Sequence, residues 1–186
     1  MPRRPRTAAA GLLIFALVAT LAGCSDTTRI PDPTPEATAD PLFAADEEAL
    51  AAAVEVYERY LVAADQFASG EADLQAVEGI ASGPVLEEAV ETEARFEADG
   101  LTLVGTRTVE TARIQSTFVN GPSTEVTIYV CESVEGTDLL DSSGASLVSP
   151  DRDPLTDWTA TLTFERDNSA GLVTEREFWD AGGVCV

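Results

Sequence analysis

The feature that most constrains the fold of this chain is a change in the spacing of its apolar residues at Gly100. Before Gly100, apolar side chains recur every three or four positions, which indicates amphipathic helices. After Gly100 the period falls to two and β-branched residues become frequent, which indicates strands. We therefore expect an α+β domain, with N-terminal helices that pack on one face of an antiparallel sheet.

Three helices are predicted before Gly100, at residues 42–68, 72–80 and 85–98. The first helix has an apolar face and an opposite charged face, composed respectively of Leu50, Ala53, Val54, Tyr57, Leu61, Ala64 and Ala68, and of Glu55, Glu58, Arg59 and Asp65. The third helix is rich in glutamate, which we interpret as a solvated face rather than as a metal site. No metal is expected in the acidic segments 138–141 and 151–153, because neither has the spacing and glycine of a calcium loop.

Five strands are predicted after Gly100, at residues 101–109, 112–119, 124–134, 158–166 and 172–179. Tight turns are expected at residues 119–123, which contain Asn-Gly, and at residues 167–171. Residues 136–157 are expected to form a long loop, a length typical of functional or mobile segments. Two strand faces are expected to meet the helices, one formed by Val126, Ile128 and Val130 and the other by Trp158, Ala160, Leu162 and Phe164.

The first 24 residues have the organisation of an export signal. Three arginines precede an uncharged stretch whose residues 8–23 fall short of the roughly 20 that a spanning helix needs. Leu21-Ala22-Gly23-Cys24 resembles a bacterial lipobox, in which the cysteine thiol takes a diacylglyceryl group and a peptidase cuts before it. We expect a lipoprotein signal peptide at residues 1–23, Sec export and lipidation of Cys24; the alternative is a simple secretory peptide.

The segment after the lipobox is interpreted as a disordered stalk. Residues 24–41 comprise Cys24 and a Pro-rich linker with one large aliphatic side chain, so the linker cannot bury a face. At ~3.1 Å per residue, a Pro-rich linker of this length reaches about 50 Å. The folded domain is expected at residues 42–186. A mature chain that starts at Cys24 carries 8 basic and 33 acidic residues, a formal charge of −25, so an anionic membrane would repel it and the anchor must be covalent.

The composition removes several kinds of chemistry. The chain has no histidine, and its 11 basic residues are all arginine. Histidine-based triads, imidazole metal sites, Schiff bases and the P-loop lysine are therefore excluded. With 33 acidic residues and a formal charge of −22, the chain is not expected to bind nucleic acid, which requires clustered Lys and Arg. No cofactor is expected.

Several segments together resemble a known group of exported proteins. They are Leu21-Ala22-Gly23-Cys24, the acidic Pro/Thr stalk, Val56-Tyr57-Glu58-Arg59-Tyr60, Val130-Cys131-Glu132-Ser133, Asp141-Ser142-Ser143-Gly144 and Gly182-Gly183-Val184-Cys185. With three helices before a sheet, the chain resembles small actinobacterial-type lipoproteins with a nuclear-transport-factor-2-like (cystatin-like) domain. This resemblance implies a cone in which a curved sheet wraps a long helix. Ser133 departs from the pattern, since similar lipoproteins often carry Asp there.

The three cysteines are consistent with this resemblance. Lipidation of Cys24 leaves Cys131 and Cys185 as an even pair in an oxidising compartment, where we expect a disulfide. The bond would tie the third predicted strand to the C-terminal end. The alternative is two separate buried thiols.

The same superfamily includes enzymes that resemble ketosteroid isomerase and polyketide cyclases, which use a buried carboxylate with a Tyr or acid donor. The candidate groups here are the strand acids and the tyrosines: Glu110, Glu125, Glu132, Glu165, Glu175, Glu177, Tyr57, Tyr60 and Tyr129. Strand acids that alternate with apolar residues usually face water, so no catalytic residue is assigned. A buried carboxylate facing a Tyr in an enclosed cavity would favour the enzyme, and a filled interior with an exposed apolar rim would favour partner binding.

The favoured function is a non-catalytic module, lipid-anchored on the extracytoplasmic face of the cell membrane, that binds an envelope protein or a small apolar ligand. The candidate pocket for such a ligand is formed by aromatic residues, namely Tyr57, Trp158, Phe178 and Trp179. The alternative is an envelope enzyme of isomerase or cyclase type, and a structural spacer is a third possibility.

Overall fold

The computed structural model of the protein describes residues 41–185. The predicted signal peptide, the lipidation site at Cys24 and nearly all of the predicted stalk lie outside the described residues. The helices are α1 Asp46–Ala68, α2 Leu74–Glu78 and α3 Pro84–Asp99. The strands are β1 Thr102–Val104, β2 Thr108–Asn120, β3 Ser123–Ser133, β4 Asp138–Leu140, β5 Leu155–Glu165 and β6 Asn168–Phe178.

Local sequence explains where the long helices begin and end. Three consecutive acids, starting at Asp46, occupy the first turn of α1, where the helix dipole favours negative charge. The α3 helix begins at Pro84, a residue that suits the first helical position, and ends before Gly100 in the left-handed conformation. All three predicted helices are confirmed, although α2 has only five residues.

The main sheet is antiparallel with strand order β2-β3-β5-β6. Tight turns connect β2 to β3 at residues 121–122, as the sequence predicted, and β5 to β6 at residues 166–167, so that β6 begins inside the turn predicted at 167–171. Because β3 and β6 each pair antiparallel with β5, they run in the same direction. One face of the sheet packs on α1, and the other face is away from the helices.

The apolar core lies between α1 and the central strands. Val126, Ile128 and Val130 of β3 and Leu162 of β5 are fully buried there, and Phe43 packs edge-to-face on Phe164 with ring centroids 5.0 Å apart. The prediction that these strand faces meet the helices is confirmed. The α+β class, with helices that precede an antiparallel sheet, is confirmed as well.

The region between α3 and β2 differs from the prediction of two long strands. Residues 102–104 form the short strand β1, which pairs with β4 in a separate two-stranded sheet, and β2 starts at Thr108. The break occurs at Gly105, where an added Cβ would lie 1.9 Å from the carbonyl oxygen of Gly136. This close backbone approach holds the 136–154 loop against the end of the sheet. The predicted loop at residues 136–157 thus differs from the structure, in which it contains the three-residue strand β4.

A disulfide joins Cys131, near the end of β3, to Cys185, with Cα atoms 5.0 Å apart. This confirms the predicted pair. The backbone N–H of Cys185 also donates a hydrogen bond to the Asp157 carboxylate at 2.6 Å. The C-terminal segment is thereby fixed to the face of the sheet opposite α1. Within residues 41–185, no helix has the length and apolar character needed to cross a bilayer.

Candidate ligand-binding cleft

A cleft of about 310 Å³ opens between α1, α3 and one end of the main sheet. This volume lies at the lower end of the range for small-molecule sites, roughly 300–1,000 Å³. Its walls are mainly apolar and come from Ala64, Ala68, Ala89, Phe96, Leu103, Val134 and Trp158. Its polar lining comes from Tyr60, Asp65, Glu88, Thr92, Arg107, Glu132, Thr156 and Arg176.

Glu132 forms the centre of the polar floor and is 1% exposed. Its Oε1 accepts a hydrogen bond from the Tyr57 hydroxyl. Arg176 Nη2 donates to both carboxylate oxygens of Glu132 at 3.0 Å, and Arg176 Nε donates to the Tyr57 hydroxyl at 2.8 Å. The three side chains form a closed buried network, in which the carboxylate is compensated by a charge and by hydrogen bonds.

A second ion pair lies beside the first. Asp65 of α1, which is 2% exposed, accepts hydrogen bonds at 2.8 Å from the backbone N–H and from Nε of Arg107. The Nη1 atom of Arg107 lies 3.6 Å from Oε2 of Glu132, so the two pairs are joined. At the rim, Nη1 of Arg176 lies 3.6 Å from Oε1 of Glu88, whose side chain is half exposed. Five charged side chains therefore line one small cleft.

The strand register explains why Glu132 lies inside. The even-numbered residues of β3 lie on the face of the sheet that packs on α1, and Val126, Ile128 and Val130 are all buried there. Glu132 is the next residue of this row, opposite Thr156 of β5. The apolar row thus ends in a carboxylate where the sheet extends past the apolar core into the cleft.

Burial and the neighbouring charges shift the pKa values of this cluster. Burial raises the pKa of Tyr57 well above 10.0, against the opposing effect of Arg176. Burial also raises the pKa of Tyr60, again opposed by Arg176 and by Arg107. For Arg176 burial acts in the opposite sense, but its interactions with Tyr57 and Glu132 outweigh burial and raise the pKa. Both phenols are therefore protonated at neutral pH, and the guanidinium keeps its charge.

The four residues predicted to form the pocket do not all come together. Trp158 lines the cleft, with its ring centroid 3.3 Å from the guanidinium carbon of Arg176. Phe178 packs edge-to-face on Trp158 and is 61% exposed, but it does not line the cleft. Tyr57 lies beneath the cleft and reaches it only through Glu132 and Arg176.

The inclusion of Trp179 in the pocket was wrong. Successive side chains of a strand point to opposite faces, and Trp179 directly follows Phe178. Trp179 packs on Tyr129 in a tilted arrangement on the other face of the sheet, with ring centroids 5.0 Å apart. The two tryptophans of the chain therefore lie on opposite faces of the sheet.

Two charged residues of the floor were assigned to solvent by the sequence analysis, and both assignments are wrong. Glu132 was grouped with outward-facing strand acids, although its even spacing from Val130 was a signal for burial. Asp65 was placed on the charged face of the first helix, but it lies four positions after Leu61, on the buried face. Arg176 carried no such signal, because a register shift in β6 precedes it.

One group of possible metal ligands occurs within residues 41–185, formed by Cys131, Asp157 and Cys185, whose candidate ligand atoms lie within 4.8 Å of one another. The two sulfur atoms are joined in the disulfide, and metals bind thiolates. The group is consistent with a structural link rather than with a metal centre.

The chain matches no protein-family model. It also matches no curated protein. Among solved structures it is similar to the intermembrane space region of the chloroplast protein ARC6, with a TM-score of 0.49 and 17% identity over 69% of this chain and 95% of that chain. It is also similar to CagV, a VirB8 homologue of the T4SS from Helicobacter pylori strain 26695, with a TM-score of 0.39 and 10% identity over 70% of this chain and 98% of that chain. Both TM-scores lie below 0.5, so neither likeness identifies the superfamily or the function of this chain.

Proposed function

We propose that this chain is a lipid-anchored, extracytoplasmic binding module without catalytic activity, and that the cleft is its ligand site. The observation that carries the proposal is the pairing of Glu132, the carboxylate at the centre of the floor, with groups of the protein itself. Both oxygens of Glu132 accept hydrogen bonds from buried groups of the protein itself. A carboxylate held in this way contributes to the shape and charge of the cleft, and a proton from a bound molecule would have to compete with the donors that already hold both oxygens.

The alternative, an enzyme of isomerase or cyclase type, has one observation in its favour. Glu132 is a buried carboxylate that faces Tyr57, which is the pair such an enzyme would need. The hydroxyl of Tyr57, however, is used to donate to Glu132 itself, and Arg176 lies on both groups. The base and the donor are thus engaged with each other, and the cleft is open to solvent. The geometry favours binding.

Three features support an extracytoplasmic, membrane-anchored location. The disulfide between Cys131 and Cys185 is typical of oxidising compartments. The lipobox-like segment that ends at Cys24 supplies a route to a covalent diacylglyceryl anchor, and two acyl chains hold a protein firmly on a membrane. The Pro-rich linker would hold the domain up to about 50 Å from the bilayer. We further propose that the domain is a cone of the nuclear-transport-factor-2-like type.

Localisation is tested with the full-length chain expressed in a high-GC Gram-positive host. Wild-type protein is expected in the membrane fraction, with a lipid-modified N-terminal Cys24 in mass spectra. Cys24→Ala is expected to be released or to stay uncleaved. A mature N-terminus elsewhere, without lipid, would contradict the proposed anchor.

Ligand binding is tested with the mature chain without its lipid, residues 25–186, which retains the whole described fold. Nile red, a neutral apolar dye, is expected to bind saturably. Thr92 lines the cleft and the neighbouring Glu91 is exposed, so Thr92→Trp should abolish binding whereas Glu91→Trp should preserve it. Equal binding by the two variants would place the dye outside the cleft and contradict the proposal.

Catalysis is tested on the same protein with a ketosteroid substrate. No turnover above the Glu132→Gln background is expected. Turnover that Glu132→Gln abolishes, while circular dichroism shows the variant to be folded under the assay conditions, would establish the enzyme alternative instead.

A further inference from the structure

One polar group in the cleft is left over from the network of its floor. Tyr60 is 3% exposed and lines the cleft, yet its hydroxyl makes no hydrogen bond to any residue in the described part of the chain. Every fully enclosed side-chain nitrogen or oxygen within residues 41–185 does have a partner. The Tyr60 hydroxyl must therefore keep its surface in the cleft, where an occupant can reach it.

The two arginines that line the cleft each have one nitrogen without a hydrogen bond. Nη1 of Arg107 and Nη1 of Arg176 make only ion-pair contacts of 3.6 Å, which are longer than a hydrogen bond. Guanidinium nitrogens can only donate, and the Tyr60 hydroxyl is protonated because burial raises the pKa of Tyr60. The Tyr60 hydroxyl and these two nitrogens therefore present hydrogen-bond donors to an acceptor atom in the cleft.

The charge balance decides what kind of acceptor fits. The charged residues of the cleft are Arg107 and Arg176 against Asp65, Glu88 and Glu132, which leaves one negative charge in excess. The whole chain is strongly acidic as well, with a formal charge of −22. An anionic ligand gains nothing from this net charge, and a cationic ligand would have to take Asp65 or Glu132 from its arginine partner or stay at the rim beside Glu88. A neutral oxygen satisfies both conditions.

The apolar walls of the cleft indicate the character of the rest of the ligand. Trp158, Phe96 and Leu103 present large apolar surfaces, with alanines of α1 and α3 between them. The guanidinium of Arg176 covers one face of the Trp158 ring, so the ligand meets the rest of this aromatic wall. A small, mainly apolar molecule therefore fits the space.

We propose that the cleft binds a neutral, mainly apolar molecule carrying one hydrogen-bond-acceptor oxygen, such as a ketone or ester carbonyl, and that the Tyr60 hydroxyl donates to this oxygen. This inference rests on the proposed function, because it names the ligand class of the same cleft. Tyr60 is the residue that distinguishes an oxygen-bearing ligand from a hydrocarbon of the same shape. The nitrogens Nη1 of Arg107 and Arg176 are the supporting donors.

Three probes of nearly equal shape test the ligand class by displacement of Nile red from residues 25–186. They are 2-acetylnaphthalene, which is neutral with a carbonyl, 2-ethylnaphthalene, which lacks the oxygen, and 2-naphthoate, which is an anion. One unmade hydrogen bond in an apolar site changes affinity by roughly three- to tenfold. We expect the ketone to bind more tightly than the hydrocarbon by that factor, and more tightly than the anion because of the net negative charge of the cleft.

Tyr60→Phe is the decisive variant, since it removes only the hydroxyl. The advantage of the ketone over the hydrocarbon should fall below about twofold, whereas Tyr129→Phe, on the other face of the sheet, should leave it unchanged. Wild-type protein that prefers the hydrocarbon or the acid, binds none of the three, or keeps its preference in Tyr60→Phe would overturn the ligand class. Nile red binding by Thr92→Trp and Glu91→Trp tests separately whether the cleft is the binding site. The ligand class can therefore be contradicted while the cleft is still supported as the binding site.

Discussion

The two ends of the helix-facing side of the main sheet are built on opposite principles. At one end, Val126, Ile128, Leu162 and Phe164 are buried among apolar neighbours. At the other end the same rows of side chains reach Glu132 and the cleft, where Glu132 and Asp65 are equally buried although they carry charge. We refer to these as the apolar end and the charged end.

The comparison shows how burial is stabilised in each case. The apolar end gains free energy from the area removed from water, roughly 25 cal/mol per Å². The charged end gains little from burial as such, because desolvation of a carboxylate and a guanidinium offsets their attraction. It persists because each group has a partner, as Glu132 has in Arg176 and Asp65 has in Arg107. Stability at the charged end thus depends on each buried charged group keeping its partner.

The largest expected loss of stability comes from removing one partner of a buried ion pair at the charged end. Glu132→Gln keeps the shape of the side chain but leaves Arg176 without its buried counter-charge, so we expect a loss of about 3–5 kcal/mol in the free energy of unfolding. The matched control is Glu125→Gln, in the same strand on the opposite face, where a change within about 0.5 kcal/mol is expected. Urea unfolding measures both. Equal effects would show that the two ends do not differ as we describe.

The next effect concerns the other face of the sheet. The disulfide between Cys131 and Cys185 spans 54 positions, and removing it by Cys131→Ser with Cys185→Ser should cost about 2–4 kcal/mol. The C-terminal segment should also become accessible to proteases. Non-reducing mass spectrometry of the wild-type chain supplies the control, since two free thiols would contradict the structure. A double variant as stable as wild type would show that the sheet alone holds this segment.

A third change tests the packing of the apolar end. Gly171 has φ of +63°, and an added Cβ would lie 2.6 Å from the Phe164 ring. Gly171→Ala should therefore cost about 2–3 kcal/mol, from backbone strain and overpacking together. Gly70→Ala shares the positive φ but has open space around it, so it isolates the strain. Thermal unfolding that shifts equally in both variants would remove the packing contribution.

The sequence predicted most of the apolar end because apolar periodicity is what a folded chain must satisfy there. The helix order and the buried rows of β3 and β5 follow from this periodicity, and the turn between β2 and β3 follows from its Asn-Gly pair. The disulfide followed from the parity of the cysteines. The short strands β1 and β4 did not, because three residues carry too little periodicity to be distinguished from a loop.

The charged end was predicted poorly for a physical reason. A charge on a buried row contradicts the hydrophobic pattern, and only a partner elsewhere in the fold makes it tolerable. The position of Glu132 and that of Asp65 could have been inferred from their spacing, but their partners Arg176 and Arg107 come from distant segments. The register shift between Thr161 and Leu162 additionally hides the direction of Arg176. Pairing across the fold is not encoded locally.

The smallest predicted effect is a dependence of stability on alkaline pH. The pKa values of Tyr57 and Tyr60 are raised in the folded state, so above pH ~10 the unfolded chain loses these protons while the folded chain keeps them. Stability should be flat up to about pH 9 and fall by about 1–2 kcal/mol by pH 10.5. Tyr60→Phe should make this fall shallower, as measured by urea midpoints across the range. An increase in stability with pH would contradict the burial of these phenols.

Glu132 and Arg176 stabilise the fold as a pair, and a double-mutant cycle measures their interaction energy directly. Glu132→Gln and Arg176→Met are made singly and together, and the free energy of unfolding is determined for all four proteins. We expect each single variant to be strongly destabilised, the double variant to be more stable than the sum implies, and the coupling energy to be about 2–3 kcal/mol. Additive effects, with a coupling energy near zero, would show that Glu132 and Arg176 do not stabilise each other in the folded protein.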